Sequence, residues 1–296
     1  MLADHLHRTR FAYDTVAVDY ARILAGGLPS DHTDRSVLAR FAAGLRGPVV
    51  EVGCGPGRMT GVLAGLGLAV RGIDLSPAMV AEARRRHPDL DVVVGTLTAL
   101  DLPDRSVAGL VAWYSIIHLP PEELPVAFAE FARVLVPGGR LQLAFQVGDG
   151  PVEIERGYGH DGLSLTAYRL DPDVIAGLLR DAGFTVVVRQ VRSRLGPETT
   201  PQAFLLARAP VAAGHSARRA DPGGGRGGTA PDQPGPGGGQ LLVGVGQAPA
   251  GGDDGAAAIQ PVVASDGPAE LVPDPPGDDA GGFDWAEVRP GQLEVL

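Results

Sequence analysis

The sequence predicts an α/β fold in which a mostly parallel sheet is covered by helices on both faces. Three observations point there. Apolar runs of strand length alternate with helix-spaced segments from residue 48 to 147, the alternation returns at residue 172, and Gly, Pro, Ser and Asp stand at the junctions. Strands separated by helices pair in parallel and bury both faces.

Two helices precede the first strand. Residues 8 to 24 carry Phe11, Val16, Val18, Ala21 and Leu24 in a loosely amphipathic pattern, and residues 34 to 45 place Val37, Leu38, Phe41 and Leu45 at helical spacing. The alternation then runs strand 48 to 53, helix 58 to 66, strand 69 to 74, helix 77 to 86, strand 91 to 95, strand 108 to 114, helix 121 to 135 and strand 140 to 147. Ser76 before Pro77 and Asp171 before Pro172 each read as an N-cap followed by proline in the first turn, where the missing N–H is not needed. Leu124, Phe128, Phe131 and Leu135 mark one face of the helix that "PGGR" should stop. Helix 172 to 182 ends at Gly183, which suits a left-handed cap. Strands 184 to 192 and 202 to 208 follow with no helix between them, as an antiparallel pair at a sheet edge. Residues 148 to 169 are left as a long insertion beyond a strand's carboxyl end, where lids and binding loops occur.

Composition divides the chain into residues 1–210, a folded domain, and 211–296, a Gly/Pro-rich disordered tail. The last 86 residues hold 20 Gly and 11 Pro, too rich a mixture to bury a core. Residues 1–210 carry 21 Arg against 23 acids, so the overall net charge of -10 lies mostly in the tail. A nearly neutral domain lacks the basic surface that nucleic acid requires. All 25 basic residues are Arg. The lone cysteine, Cys54, excludes an internal disulfide and a Cys-based zinc cage, and is better read as a small buried residue than as a nucleophile. No run reaches the ~18 apolar residues of a membrane span, and the N-terminus lacks a signal-type apolar core. The expectation is a cytoplasmic protein with no membrane or nucleic-acid partner.

"VVEVGCGPGRMT" places glycines at 53, 55 and 57 directly after a strand. Without Cβ atoms the turn can take positive φ and a ligand can reach main chain. In open α/β sheets that position, outside the strand ends, is where nucleotide-like ligands sit. The dinucleotide fingerprint requires a third glycine where this chain has Arg58; Pro56 removes a helix N–H, and Glu51 adds negative charge where a pyrophosphate would lie. A cationic ligand carrying a ribose suits these residues better. Asp74, 21 residues after Gly53, is placed to accept both ribose hydroxyls.

With "VVEVGCGPGR", "GIDLSPAMVAEAR", "VVVGTLTALDLPDRSVAGLVAWYSIIHL", "EFARVLVPGGRLQLAF" and "LLRDAGF" in order, residues 10 to 209 resemble the class I S-adenosylmethionine-dependent methyltransferases, the small-molecule branch often called type 11 or 25. The resemblance implies a Rossmann-like, seven-stranded sheet of order 3-2-1-4-5-7-6 with the last strand antiparallel. It implies S-adenosyl-L-methionine as cofactor and a small-molecule acceptor. It also implies that Gly53, Gly55 and Gly57 lie under the methionine part with Glu51 near its ammonium. Asp74 would hold the ribose, and Leu75 and Met79 would flank the adenine. Thr96 stands where many relatives have Asp, so adenine recognition would rest on its hydroxyl or on the Leu97 backbone.

Tyr13 and Tyr20, seven apart on the first helix, match relatives that fold this helix across the cofactor; Tyr20 is kept as a contact, against a plain aromatic core stripe. "WYSIIHL" puts Trp113, Tyr114, Ser115 and His118 near the methyl group. Ser115 is counted with the cofactor contacts. His118 is the candidate general base, the plainer alternative being a loop-orienting or packing role. In the insertion Tyr158, His160, Tyr168 and Arg169 are candidates to line an acceptor pocket. Two other functions compete: a binding protein without turnover, and a nicotinamide oxidoreductase, which would have to tolerate Arg58 in place of glycine. Oligomeric state has no sequence signal.

Overall fold

The computed structural model describes residues 3–24, 32–195 and 198–211. Of the expected tail, 211–296, all but Val211 lies outside the described residues. In chain order the elements are α1 (Asp4–Ile23), α2 (His32–Ala42), β1 (Val49–Val52), α3 (Arg58–Gly65), β2 (Val70–Asp74), α4 (Pro77–Arg86), β3 (Asp91–Val94) and β4 (Val107–Trp113). Then come α5 (Leu124–Val134), β5 (Leu135–Gln146), β6 (Pro151–Gly157), β7 (His160–Tyr168), α6 (Pro172–Asp181), β8 (Thr185–Arg192) and β9 (Gln202–Arg208).

The main sheet has the order β3-β2-β1-β4-β5-β9-β8, which is the expected 3-2-1-4-5-7-6 once the β6–β7 hairpin is counted separately. β1, β2, β3, β4 and β5 pair in parallel, and β9 runs antiparallel to both β5 and β8. Central strands are apolar throughout because both faces are covered: every residue of β1 and β4 is buried. Alternate residues divide between two cores. Val50, Val52, Leu110, Leu141 and Leu205 face α5 and α6 through Phe128, Phe131, Ile175 and Leu179. Val49, Val111, Phe204 and Leu206 face α2 and α3 through Leu38, Phe41, Met59 and Leu63.

The expected caps are present. Ser76 Oγ accepts the Met79 N–H at 3.1 Å, Asp171 accepts from Asp173 and Val174, and Gly183 follows α6 with φ +86°. Two local readings change. "PGG" does not interrupt the chain between helix and strand: Leu135 already pairs with Val107, and the register slips before Arg140 meets Gly109. Residues 148 to 169 are not a loop but mostly the β6–β7 hairpin, closed by a two-residue turn with φ +54° at Tyr158 and +87° at Gly159.

That hairpin covers the carboxyl ends of the strands together with α1. Leu163 packs with Val16, Ala17 and Met79, and His160 Nε2 lies 2.9 Å from Asp19 on α1. Helix α1 is tied in turn to α4: the Asp14 carboxylate accepts from Ser76 Oγ at 2.6 Å and from the Ala78 N–H at 3.1 Å. No helix among the described residues is long and apolar enough to cross a membrane.

Candidate active site

A cavity of about 840 Å³, its open mouth included, lies beyond β1, β2 and β4 and beneath α1. Its wall includes Tyr20, Gly53, Gly55, Asp74, Leu75, Met79, Thr96, Leu97, Ser115 and His118. Glu51 and Gly57 are not on that wall. Glu51 is buried in β1 behind it, where it accepts from Thr60 Oγ1 at 2.5 Å. Gly57 has φ +81° at the start of α3, and a Cβ there would meet Ala83 of α4 and His87 just after that helix.

The glycine turn is shaped by close approach. Gly53 has φ +73°, and a Cβ on it would fall 2.2 Å from Ser115 Cβ. Tyr114 makes the matching move on the other side: with φ +56° it turns the chain out of β4 and sets Ser115 against Gly53. The Ser115 hydroxyl oxygen is buried and has no hydrogen-bond partner among the described residues. A native polar atom left this way at a cavity wall is accounted for by a ligand or water there.

Asp74 closes the same turn. Its Oδ2 accepts the Gly55 N–H at 2.7 Å and its Oδ1 accepts the Ser76 N–H at 2.9 Å, and the carboxylate keeps acceptor capacity toward the cavity. Burial raises its pKa to about 6, with the Ser76, Gly55 and Leu75 backbone groups working against the rise. Burial likewise raises Glu51 to about 8, opposed by Thr60 and by the Arg58 charge. Two carboxylates held toward their neutral forms by burial are completed by a cation and by hydroxyl donors. These residues fit S-adenosylmethionine, which offers an ammonium, a sulfonium and a ribose diol. A pyrophosphate would add negative charge to the same space.

Trp113 and Tyr114, expected near the methyl group, line the cavity, and so do Tyr13, weighed with Tyr20 but not kept as a contact, and Leu6, Thr9, Arg58 and Leu119, which the sequence did not nominate. Tyr13 is the most consequential omission. Its hydroxyl lies 2.7 Å from His118 Nε2, a partner 105 positions away that no local pattern discloses. Of the insertion candidates, Tyr158 packs on Tyr20 with ring centroids 4.7 Å apart, His160 pairs with Asp19, and Arg169 packs beside Gly148. Tyr168 lines a second, smaller cavity with His5, Arg8, Thr9 and His118.

A methyltransferase-domain family matches residues 49–139, the stretch from β1 into β5. Over 175 residues the chain is 33% identical to an O-methyltransferase of Penicillium expansum, covering 56% of this chain and 63% of that one. It is 31% identical over 141 residues to a demethylmenaquinone methyltransferase of Tropheryma whipplei, covering 46% and 58%. The chain therefore spans about three-fifths of the length of these relatives. Magnesium protoporphyrin IX methyltransferase from Synechocystis PCC 6803, crystallised with S-adenosylmethionine, shares the fold with a TM-score of 0.54 at 22% identity, over 70% of this chain and 98% of that one.

Proposed function

We propose that this chain, which carries a class I S-adenosylmethionine-dependent methyltransferase domain, transfers a methyl group from S-adenosylmethionine to a small-molecule acceptor. The single observation carrying this is the half-buried Asp74 carboxylate, bonded to the glycine turn and facing the cavity with capacity to accept from a ribose. When bound, S-adenosylmethionine supplies an electrophilic methyl on a cationic sulfur. The protein's part is to hold donor and acceptor in line and to exclude water, which is worth ~7–11 kcal/mol when the geometry is right.

In this reading Gly53, Gly55 and Ser115 bed the amino-acid end, with Glu51 behind them, Asp74 takes the ribose, and Leu75, Met79, Thr96 and Leu97 surround the adenine. Tyr20 covers the donor from α1. Leu6, Trp113, Tyr114 and Leu119 leave an apolar space for the acceptor. Gly57 serves the turn and its packing on α4 and makes no direct contact.

Glu51 gives a test that needs no acceptor. Its folded pKa is raised to about 8 from an ordinary 4.5, so the protonated form predominates at pH 7 in the free protein. An ammonium placed near it favours the carboxylate, so binding S-adenosylhomocysteine at pH 7 releases a proton. Calorimetric binding heats then differ between buffers of different ionisation enthalpy, and Glu51→Gln makes them equal. Heats independent of buffer in the wild type count against an ammonium beside Glu51.

We place the domain boundary at residue 210 and the function in the cytoplasm, with neither nucleic acid nor membrane as partner. The near balance of 21 Arg and 23 acids over residues 1–210 supports this. Ending the chain after Pro210 leaves the melting temperature and donor affinity unchanged. A fall of about 5 °C, more than 1 kcal/mol for a domain of this size, would show that the tail contributes to the fold.

Catalysis itself is tested by incubating the protein with cell extract and isotopically labelled donor. A low-molecular-weight product carrying the label supports transfer. Saturable donor binding with no labelled product supports a binding protein instead.

A further inference from the structure

His118 ends a 3₁₀ turn (Ile116–His118) just after β4, and both of its ring nitrogens are engaged. Nδ1 lies 3.0 Å from the Thr166 carbonyl oxygen on β7, and Nε2 lies 2.7 Å from the Tyr13 hydroxyl on α1. A carbonyl oxygen only accepts, so Nδ1 carries the hydrogen. In the neutral ring Nε2 then holds the lone pair, and Tyr13 donates to it. The lone pair expected to meet an acceptor is thus already occupied. The Tyr13 oxygen, having given its hydrogen to His118, keeps lone pairs free to receive another, and it lines the cavity.

We propose that Tyr13 is the residue that takes the acceptor's proton, passing its own to Nε2 of His118, and that this relay is assembled only when α1 and the β6–β7 hairpin both cover the site. The proposal rests on the methyl-transfer reading. It names the acceptor class as a neutral phenolic or enolic hydroxyl, a group that must lose a proton on methylation. The acceptor atom gains its bond to carbon as the carbon–sulfur bond breaks, with the electron pair staying on sulfur. The acceptor's proton goes to the Tyr13 oxygen while the Tyr13 proton goes to Nε2. Positive charge leaves sulfur and reappears on the imidazole, so the net charge inside the cavity does not change.

The surroundings explain why the two protons move together. Burial pushes the Tyr13 phenol well above its ordinary pKa, aided by Tyr20, Tyr158 and Asp74, so a free phenolate is not a resting species. Burial also holds the His118 imidazolium down, opposed by the Thr166 carbonyl. The neutral pair is the resting state. The groups facing His118 are Tyr13, His5 and Arg8 from α1 and Tyr168 from β7, with His5 engaged by Glu123 at 3.2 Å. Tyr13 and Thr166 belong to two separate covering elements, and the His160–Asp19 contact ties those elements together at the hairpin tip.

Two measurements on the full-length protein test this. In ¹⁵N-histidine-labelled protein saturated with S-adenosylhomocysteine, His118 is expected as the Nδ1–H tautomer, and Tyr13→Phe shifts its Nε2 signal toward that of a nitrogen accepting no bond. With cell extract and labelled donor, Tyr13→Phe and His118→Gln slow product formation about 100-fold at pH 7. The deficit narrows toward pH 9 as the acceptor loses its proton unaided, and donor affinity is read in parallel. An Nε2–H tautomer, an Nε2 signal unmoved by Tyr13→Phe, an unchanged rate, or a loss of rate independent of pH each overturns the relay while wild-type labelling still stands. A wild-type protein that labels nothing overturns the methyl-transfer reading and the relay with it.

Discussion

Asp74→Ala lowers affinity for S-adenosylhomocysteine about 100-fold. The carboxylate at the end of β2 accepts from the Gly55 and Ser76 N–H groups and keeps acceptor capacity toward the cavity for a ribose diol. Hydrogen bonds to a charged group are worth roughly 1.5–3 kcal/mol each, so losing two removes about 3 kcal/mol, or two decades of affinity. Asp74→Asn keeps the shape but only one accepting oxygen, and its loss is expected nearer tenfold. Unfolding does not explain either loss. The folded pKa of about 6 lies above the ordinary 3.8, so the stability contributed by the protonated group is complete below the ordinary value and disappears as pH rises through about 6. Above that pH the neutral Asp74→Asn side chain is relieved of a half-buried charge, which offsets the one backbone N–H its amide nitrogen cannot accept, so no large fall in melting temperature is expected. Affinity within threefold of wild type in Asp74→Ala would remove this carboxylate from the binding site.

Gly53→Ala lowers the melting temperature by roughly 10 °C. The new Cβ would lie 2.2 Å from Ser115 Cβ, and the residue would have to hold φ +73°. A left-handed conformation costs a non-glycine residue roughly 1–2 kcal/mol, and forcing extra volume into a packed site costs typically 1–3 more. At about 2–4 °C per kcal/mol for a domain of this size, these costs give the stated drop. Ser115→Gly in the same chain removes the steric part and restores roughly half of the loss, leaving the backbone part. A double variant no more stable than Gly53→Ala alone would mean that Ser115 is not what excludes a side chain at Gly53.

Wherever a signal is local, the sequence anticipates the structure. The strands of the main sheet, the Ser76 and Asp171 caps, the Gly183 terminus and the antiparallel final pair each depend on residues within a few positions of one another. The β6–β7 hairpin escapes because only alternate residues, Ile154, Leu163, Leu165 and Ala167 among them, are buried, while Glu153, Glu155 and Arg156 face out. Its turn also uses Tyr158 at positive φ, where Asn or Gly would have announced it. The joined helix and strand at Val134 and Leu135 were obscured by Pro137, Gly138 and Gly139, which ordinarily read as a stop. Glu51 and Gly57 sit in the right motif but behind the cavity wall, a distinction of one pleat or one turn that sequence spacing does not resolve. Tyr13 and His118 are joined only by the tertiary fold.

On the proposed reading, the crevice between the glycine turn and Asp74 takes a sulfonium nucleoside and not a dinucleotide. Calorimetric titration of the full-length protein with S-adenosylhomocysteine and with NAD tests it most directly. Saturable single-site binding of the first and no binding heat from the second is the expected result. Saturable binding of NAD, with none of S-adenosylhomocysteine, would contradict it.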